Sequence, residues 1–172
     1  PILMIAIYGL TRLIGAKRWQ GLLLAMVWAA FPEVILQAMT TMNDLITAAF
    51  WVSGVYFLFH GWKKNERTSL LLSGLSIGMA LGTKSTVFIG LPAFSLVILC
   101  LIILIPKNWT TKLFTWITAS FIAFLVLGSL VYIQNYVYYG NPLSVPQWAG
   151  DLLDTEISYP ERTLKNLFLY SY

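Results

Sequence analysis

Long apolar runs, each broken by a short cluster of polar or charged residues, recur along the chain. Residues 1–11 (PILMIAIYGLT) read as the end of a truncated span, followed by Arg12, Lys17, Arg18 and Trp19. Residues 20–40 form a second apolar stretch, interrupted at Phe31-Pro32-Glu33. Proline inside a membrane helix is tolerated where neighbours satisfy the freed carbonyl, so this stretch predicts either a bent helix or a re-entrant segment. Asn43-Asp44 punctuates the run, and either residue suits the N-cap of a third span over about 45–62. A fourth span is expected over about 68–82, a fifth from after Thr83-Lys84 to Ile105, and a sixth over about 113–134. Stretches of about 20 apolar residues are long enough to cross a ~30 Å hydrocarbon core. The expected fold is therefore all-α: a polytopic transmembrane helix bundle with about five full spans plus one truncated N-terminal span. The membrane region covers 1–139. From Gly140 the composition turns polar, with prolines and the acids Asp151, Asp154, Glu156 and Glu161, so 140–172 reads as a non-cytoplasmic loop or the start of the next segment.

Composition agrees with the pattern. Of 172 residues, 58% are apolar and 10% charged, with a mean hydropathy of +0.74, against roughly 25% charged in an average soluble domain. Disorder, a collagen-like repeat, a disulfide scaffold and a soluble nucleic-acid binder are excluded. The net charge of +4 forms no basic stripe, so no nucleic-acid partner is expected. The single Cys100 lies in an apolar run and reads as a small buried hydrophobe. Neither end resembles a natural terminus, so the chain reads as an internal piece of a longer protein, and the lack of a leader says nothing.

Charge does fix an orientation. The segments 12–19, 63–67 and 106–112 fall on one side of an alternating topology and carry Arg12, Lys17, Arg18, Lys63, Lys64, Arg67, Lys107 and Lys112. Glu33, Asp44 and the four acids of the tail fall on the other, with Lys84, Arg162 and Lys165. The basic side is expected to be cytoplasmic, with Trp19, Trp62 and Trp109 in an aromatic belt beside it. Asn108-Trp109-Thr110 matches a glycosylation acceptor, but on the cytoplasmic side it would be silent.

Charges are costly within hydrocarbon, about 2.5–3.5 kcal/mol at the centre of a helix on insertion scales. Glu33, Asp44 and Lys84 all fall between spans on the non-cytoplasmic side, at the surface or in a wet cavity. Asp44 reads equally as an N-cap and as a carboxylate beside a polar cavity. Lys84 marks a turn or snorkels; otherwise its compact ammonium suits a phosphate at head-group depth. Glu33, beside Pro32, reads first as an interfacially solvated acid. His60 has no His or Cys at metal spacing. Gly74, Gly78 and Gly82 repeat every fourth residue, which points first to close helix packing. No nucleophile triad, Walker loop or dinucleotide fingerprint is present.

Three blocks carry a family resemblance. FPEVILQAMTTMNDLITAAFW (31–51), LLSGLSIGMALGTKST (71–86) and QNYVYYGNPL (134–143) resemble, in order, segments of family 39-type glycosyltransferases of the GT-C superfamily. That superfamily includes protein O-mannosyltransferases and aminoarabinose transferases. The resemblance implies a multi-pass enzyme of the bacterial cytoplasmic membrane and cell envelope. Such an enzyme moves a sugar from a polyprenyl-phosphate carrier to a lipid, glycan or protein acceptor on the non-cytoplasmic face. It implies that the principal base is an acid in an outer loop preceding Pro1, so that this piece alone is inactive. Asp44 matches a supporting acid, for which metal binding and donor-phosphate binding both stand open; a divalent ion there is the one cofactor considered. Lys84 matches the lysine of the Thr-Lys turn, near the carrier phosphate. Glu33, Asn43 and Asn141 complete the expected substrate-binding set.

The competing reading is a transporter or flippase for a lipid-linked or anionic solute. Depth discriminates the two: a transporter binds near the midplane, whereas the transferase keeps Asp44 and Lys84 at the outer surface.

Overall fold

The computed structural model describes residues 1–39 and 43–143. Of the polar tail expected over 140–172, residues 144–172, with their four acids, lie outside the described residues. Within them the chain runs α1 (Ile2–Leu13), α2 (Arg18–Ala29), α3 (Pro32–Met39), α4 (Asp44–Lys64), α5 (Arg67–Thr83), α6 (Val87–Leu104), α7 (Trp109–Ala123), a π-helical turn (Phe124–Gly128) and α8 (Ser129–Tyr139). No strand occurs among the described residues. The protein is an all-helical membrane bundle, as the apolar runs require: in lipid, a helix satisfies every backbone donor and acceptor within its own segment.

At 1.5 Å per residue the 21 residues of α4 reach about 31 Å, the thickness of a bilayer core. Among the described residues three helical stretches are individually long and apolar enough to cross: α4, α6 and the continuous run Trp109–Tyr138. Helices α2 and α3 bend by 62° at their break and count as a fourth crossing if taken together. The break falls where Pro32 opens α3. Of the five full spans expected, α5 is the short one, at 17 residues. It is also the enclosed one, with Ser69, Leu70, Ser73, Gly74, Ile77, Gly78 and Ala80 buried.

The chain divides into two compact units, Pro1–Tyr132 and Ile133–Tyr172. In the first, α5 is the central helix, and small residues set how closely its neighbours approach. A Cβ on Gly74 would meet the Ala119 Cβ at 2.6 Å, and one on Gly82 would meet the Gly128 Cα at 2.1 Å. The glycine stripe is thus a seam against α7 and the π turn, as the packing reading of the sequence has it. On another side Gly54 of α4 admits the Ile77 side chain. Ser73, fully buried, donates to the Gly54 carbonyl (2.7 Å) and accepts from Trp116 Nε1 (3.0 Å), tying α4, α5 and α7 together.

Helix α6 packs through larger groups. Phe94 stacks on Trp116 (centroids 5.4 Å apart) and meets Trp51 edge-on (5.2 Å). Trp62 departs from expectation. It is not in an interfacial belt but has no exposed surface, joining Leu58, Leu70 and Ile98 in the core. Burial suits it because its Nε1 donates to the Ile105 carbonyl at 3.2 Å. Trp19 and Trp109 are exposed. Cys100 also departs from expectation, lying exposed on α6. That helix is apolar all round, so its composition does not mark which side turns inward.

In the second unit, the described residues are the end of α8 and the Gly140 turn (φ +70°). Asn135 Nδ2 donates to the Pro142 carbonyl there.

Candidate functional site

Helices α4 and α5 form a tight antiparallel hairpin. The reversal rests on Asn65, which takes a left-handed conformation (φ 55°), and on Glu66, whose amide donates to the Gly61 carbonyl (3.0 Å). A hairpin of two such helices returns the end of α5 to the start of α4. Two polar dipeptides 40 residues apart therefore meet. Asn43 Nδ2 donates to the Thr83 carbonyl (2.9 Å), and Lys84 Nζ donates to Asp44 Oδ1 in an ion pair. The two charged side chains are 35% and 33% exposed, so the pair is open to a ligand from outside the bundle.

Local structure explains why both groups end here. Asn43, not Asp44, holds the cap position of α4, its carbonyl accepting from Thr47. Asp44 is the first helical residue, and its carboxylate serves the lysine instead of the orphan amides. At Lys84 the helix stops: its backbone is extended (φ −153°, ψ 127°), and Val87 N then donates to its carbonyl as α6 begins. Phe88, four residues after Lys84, joins Phe124 and Tyr132 in an aromatic cluster with centroids 5.5–6.5 Å apart, and the Tyr132 hydroxyl donates to the Leu81 carbonyl.

The other expected residues make contacts of their own. Glu33 is exposed in the first turn of α3 and accepts from Gln37 Nε2 (3.0 Å). Asn141 belongs to the second unit, where its Oδ1 accepts from Leu143 N (3.0 Å) in a local turn. Among the described residues no three His, Cys, Asp or Glu come together. Asp44 offers one carboxylate already facing an ammonium, a donor set that does not by itself fit a divalent cation.

The opposite end of the bundle collects the basic residues. Lys63 Nζ donates to the Leu13 carbonyl (3.1 Å), bringing the end of α1 to the end of α4. Lys112 is not in a loop but in the first turn of α7. It is 4% exposed, donating to the Trp62 carbonyl (3.0 Å) and lying 5.5 Å from the centre of that ring. A polar group unforeseen from sequence also lies at this end. His60 Nδ1 is 3.1 Å from Ser69 Oγ and 3.2 Å from Glu66 Oε2, while Ser69 donates to Glu66. Serine and carboxylate share one ring nitrogen, so the trio is a clasp between α4 and α5 and not a proton relay. The Glu66–Ser69 spacing was its only sequence signal. Between α5 and α7 runs an apolar cavity of about 570 Å³, lined by Leu71, Leu75, Ile122 and Leu127 among others.

No curated protein and no solved structure matches the chain significantly. A family model described as dolichyl-phosphate-mannose-protein mannosyltransferase matches residues 1–132. That match takes in the whole first unit, the ion pair and the glycine seam included. The chain accordingly belongs to the dolichyl-phosphate-mannose-protein mannosyltransferase family, membrane glycosyltransferases of the GT-C type.

Proposed function

We propose that the chain is part of an enzyme that transfers a sugar from a polyprenyl-phosphate carrier to a lipid, glycan or protein acceptor. In this reading the basic end of the bundle is cytoplasmic, the enzyme sits in a bacterial cytoplasmic membrane, and the Asp44–Lys84 corner faces the other side. The observation that carries it is the meeting of one carboxylate and one ammonium where α4 starts and α5 stops, at the end away from the basic cluster.

The chemistry needs three things of the protein: a place for a long apolar chain, a cation for a phosphate, and a base. The cavity between α5 and α7 suits the chain, and Leu127 at its border adjoins Gly128, which packs on Gly82 two residues before Lys84. Lys84 is the cation. When the acceptor oxygen attacks the anomeric carbon, the bond from that carbon to the phosphate oxygen breaks. Its electron pair leaves on the carrier phosphate, and a fixed ammonium stabilises that developing charge. The acceptor proton goes to a carboxylate outside the described residues, as the resemblance implies. Asp44 holds Lys84 in place before the donor arrives. Asn43, anchored to Thr83, keeps the two dipeptides in register. Glu33 and Asn141 remain candidate sugar or acceptor contacts. No step is assigned to a metal ion.

Depth favours transfer over transport. Asp44 is the first residue of a helix about 31 Å long, whereas a transport site lies near the midplane. The test is Lys84→Ala in the full-length enzyme with a polyprenyl-phosphate sugar donor. Removing a preorganised charge of this kind costs about 10²–10³ in rate. Wild-type turnover at limiting donor would end the proposal.

A further inference from the structure

A second opening lies at the basic end, between α1 and α4, with a volume of about 720 Å³. Its lining is graded along the helix axes. Toward the start of α1 it is mostly apolar, lined by Ile2, Ile5 and Ala6 and, from α4, by Phe57 and the hydroxyl-bearing Ser53. Toward the end of α1 it becomes cationic, with Arg12, Arg18 and Lys64. Tyr8, Tyr56 and His60 lie between. Among the described residues no carboxylate lines it; Glu66 is engaged by His60 and Ser69. Tyr56 is held against Gly9, where a Cβ would stand 2.6 Å from the ring, so this wall is set by close packing.

Ile2 and Ile5 are 67% and 69% exposed, so the apolar part opens sideways where lipid chains lie. Arg12, Arg18 and Lys64 are also exposed. A basic pocket between membrane helices with an apolar extension is complementary to an anionic phospholipid. A soluble anion would leave the apolar half unused, and a neutral lipid would leave three cations uncompensated.

We propose that the groove between α1 and α4 binds one anionic phospholipid of the leaflet at the basic end, its phosphate among Arg12, Arg18 and Lys64 and an acyl chain along Ile5 and Phe57. The site is separate from the Asp44–Lys84 corner and does not depend on the transfer reaction.

The test is native mass spectrometry of the full-length protein in detergent, titrated with phosphatidylglycerol, phosphatidylcholine or inorganic phosphate. Phosphatidylglycerol is expected to bind at least about tenfold more tightly than phosphatidylcholine, since each basic residue near a head group contributes about fivefold. Lys64→Gln should weaken it about fivefold, and Arg12→Gln likewise. Arg12 also donates to the Ala16 carbonyl (2.6 Å), so Ile5→Trp, which fills the apolar half without touching a charge, serves as the second probe and should lower binding. Lys107→Gln, at the same end but outside the groove, should leave it unchanged. Equal retention of both lipids would overturn the proposal, as would an equal loss with Lys107→Gln. Tight binding of phosphate alone would assign the groove to a soluble anion. Absence of any phosphatidylglycerol adduct would likewise overturn it.

Discussion

Lys84 and Asp44, 40 residues apart in sequence, face each other as an ion pair at the point where α5 ends and α4 begins. Both are about a third exposed, and such a pair contributes little to stability. Its significance lies in position. The Asn65 reversal turns α4 and α5 into a hairpin, and that hairpin carries the two charges to one end of the bundle. A salt bridge there holds the lysine ammonium at that partly exposed corner.

The pair itself separates architecture from chemistry. Reversing it, with Asp44→Lys and Lys84→Asp together, keeps opposite charges in contact. The double variant should melt close to wild type in detergent, while turnover of a polyprenyl-phosphate sugar stays about 100-fold down. Recovery of turnover would show that the corner needs only a salt bridge, whichever way it points.

The glycine seam predicts a steric cost. At Gly82 an added Cβ would sit 2.1 Å from the Gly128 Cα, and backbone cannot give way as a side-chain tip can. Gly82→Leu should lower stability by about 1–3 kcal/mol or more, read as a fall in melting temperature. Leu75→Ala, on the apolar cavity, serves as a milder comparison. An unchanged melting temperature for Gly82→Leu would contradict the close approach.

Ser73 makes a different kind of contact. It joins Gly54 and Trp116 by two hydrogen bonds in a site with no exposed surface. Ser73→Ala should cost about 0.6–1.7 kcal/mol, the range for hydrogen bonds between membrane helices. Ser76→Ala, whose hydroxyl bonds only within its own helix, should cost less. Equal effects would remove Ser73 from its bridging role.

Lys112 is the buried cation of the basic end. Its ammonium bonds the Trp62 carbonyl and lies over that ring. Lys112→Met keeps the stem but strands the carbonyl, which should cost about 1–3 kcal/mol. A stabilised Lys112→Met variant would show that desolvation of the charge outweighs the bond it makes.

How far the sequence carries the fold can be seen helix by helix. The third and fourth spans, expected over about 45–62 and 68–82, are α4 (Asp44–Lys64) and α5 (Arg67–Thr83). Charged residues and helix stops mark the water boundary, which makes such ends readable. Facing is harder to read. Helix α6 has a mean hydropathy of 2.9 over its span, so nothing in it distinguishes lipid from neighbour, and Cys100 lies outside where burial was expected. Trp62 fits an interfacial belt by position, yet its buried place depends on Ile105 and Lys112, 43 and 50 residues away. That Asp44 and Lys84 share one side of the membrane follows from alternating spans. That they touch follows only from the α4–α5 hairpin, and the corner's Asn43–Thr83 bond had no sequence signal at all.

The central claim, that the Asp44–Lys84 corner opens on the non-cytoplasmic face and receives a carrier phosphate, is tested most directly by labelling beside it. Ser85 is exposed and adjoins Lys84. In full-length protein carrying Cys100→Ser and Ser85→Cys, a membrane-impermeant maleimide should react in right-side-out vesicles and not in inverted ones. Added polyprenyl phosphate should slow that reaction severalfold. Labelling from the cytoplasmic side, or a rate indifferent to the carrier, would contradict the account.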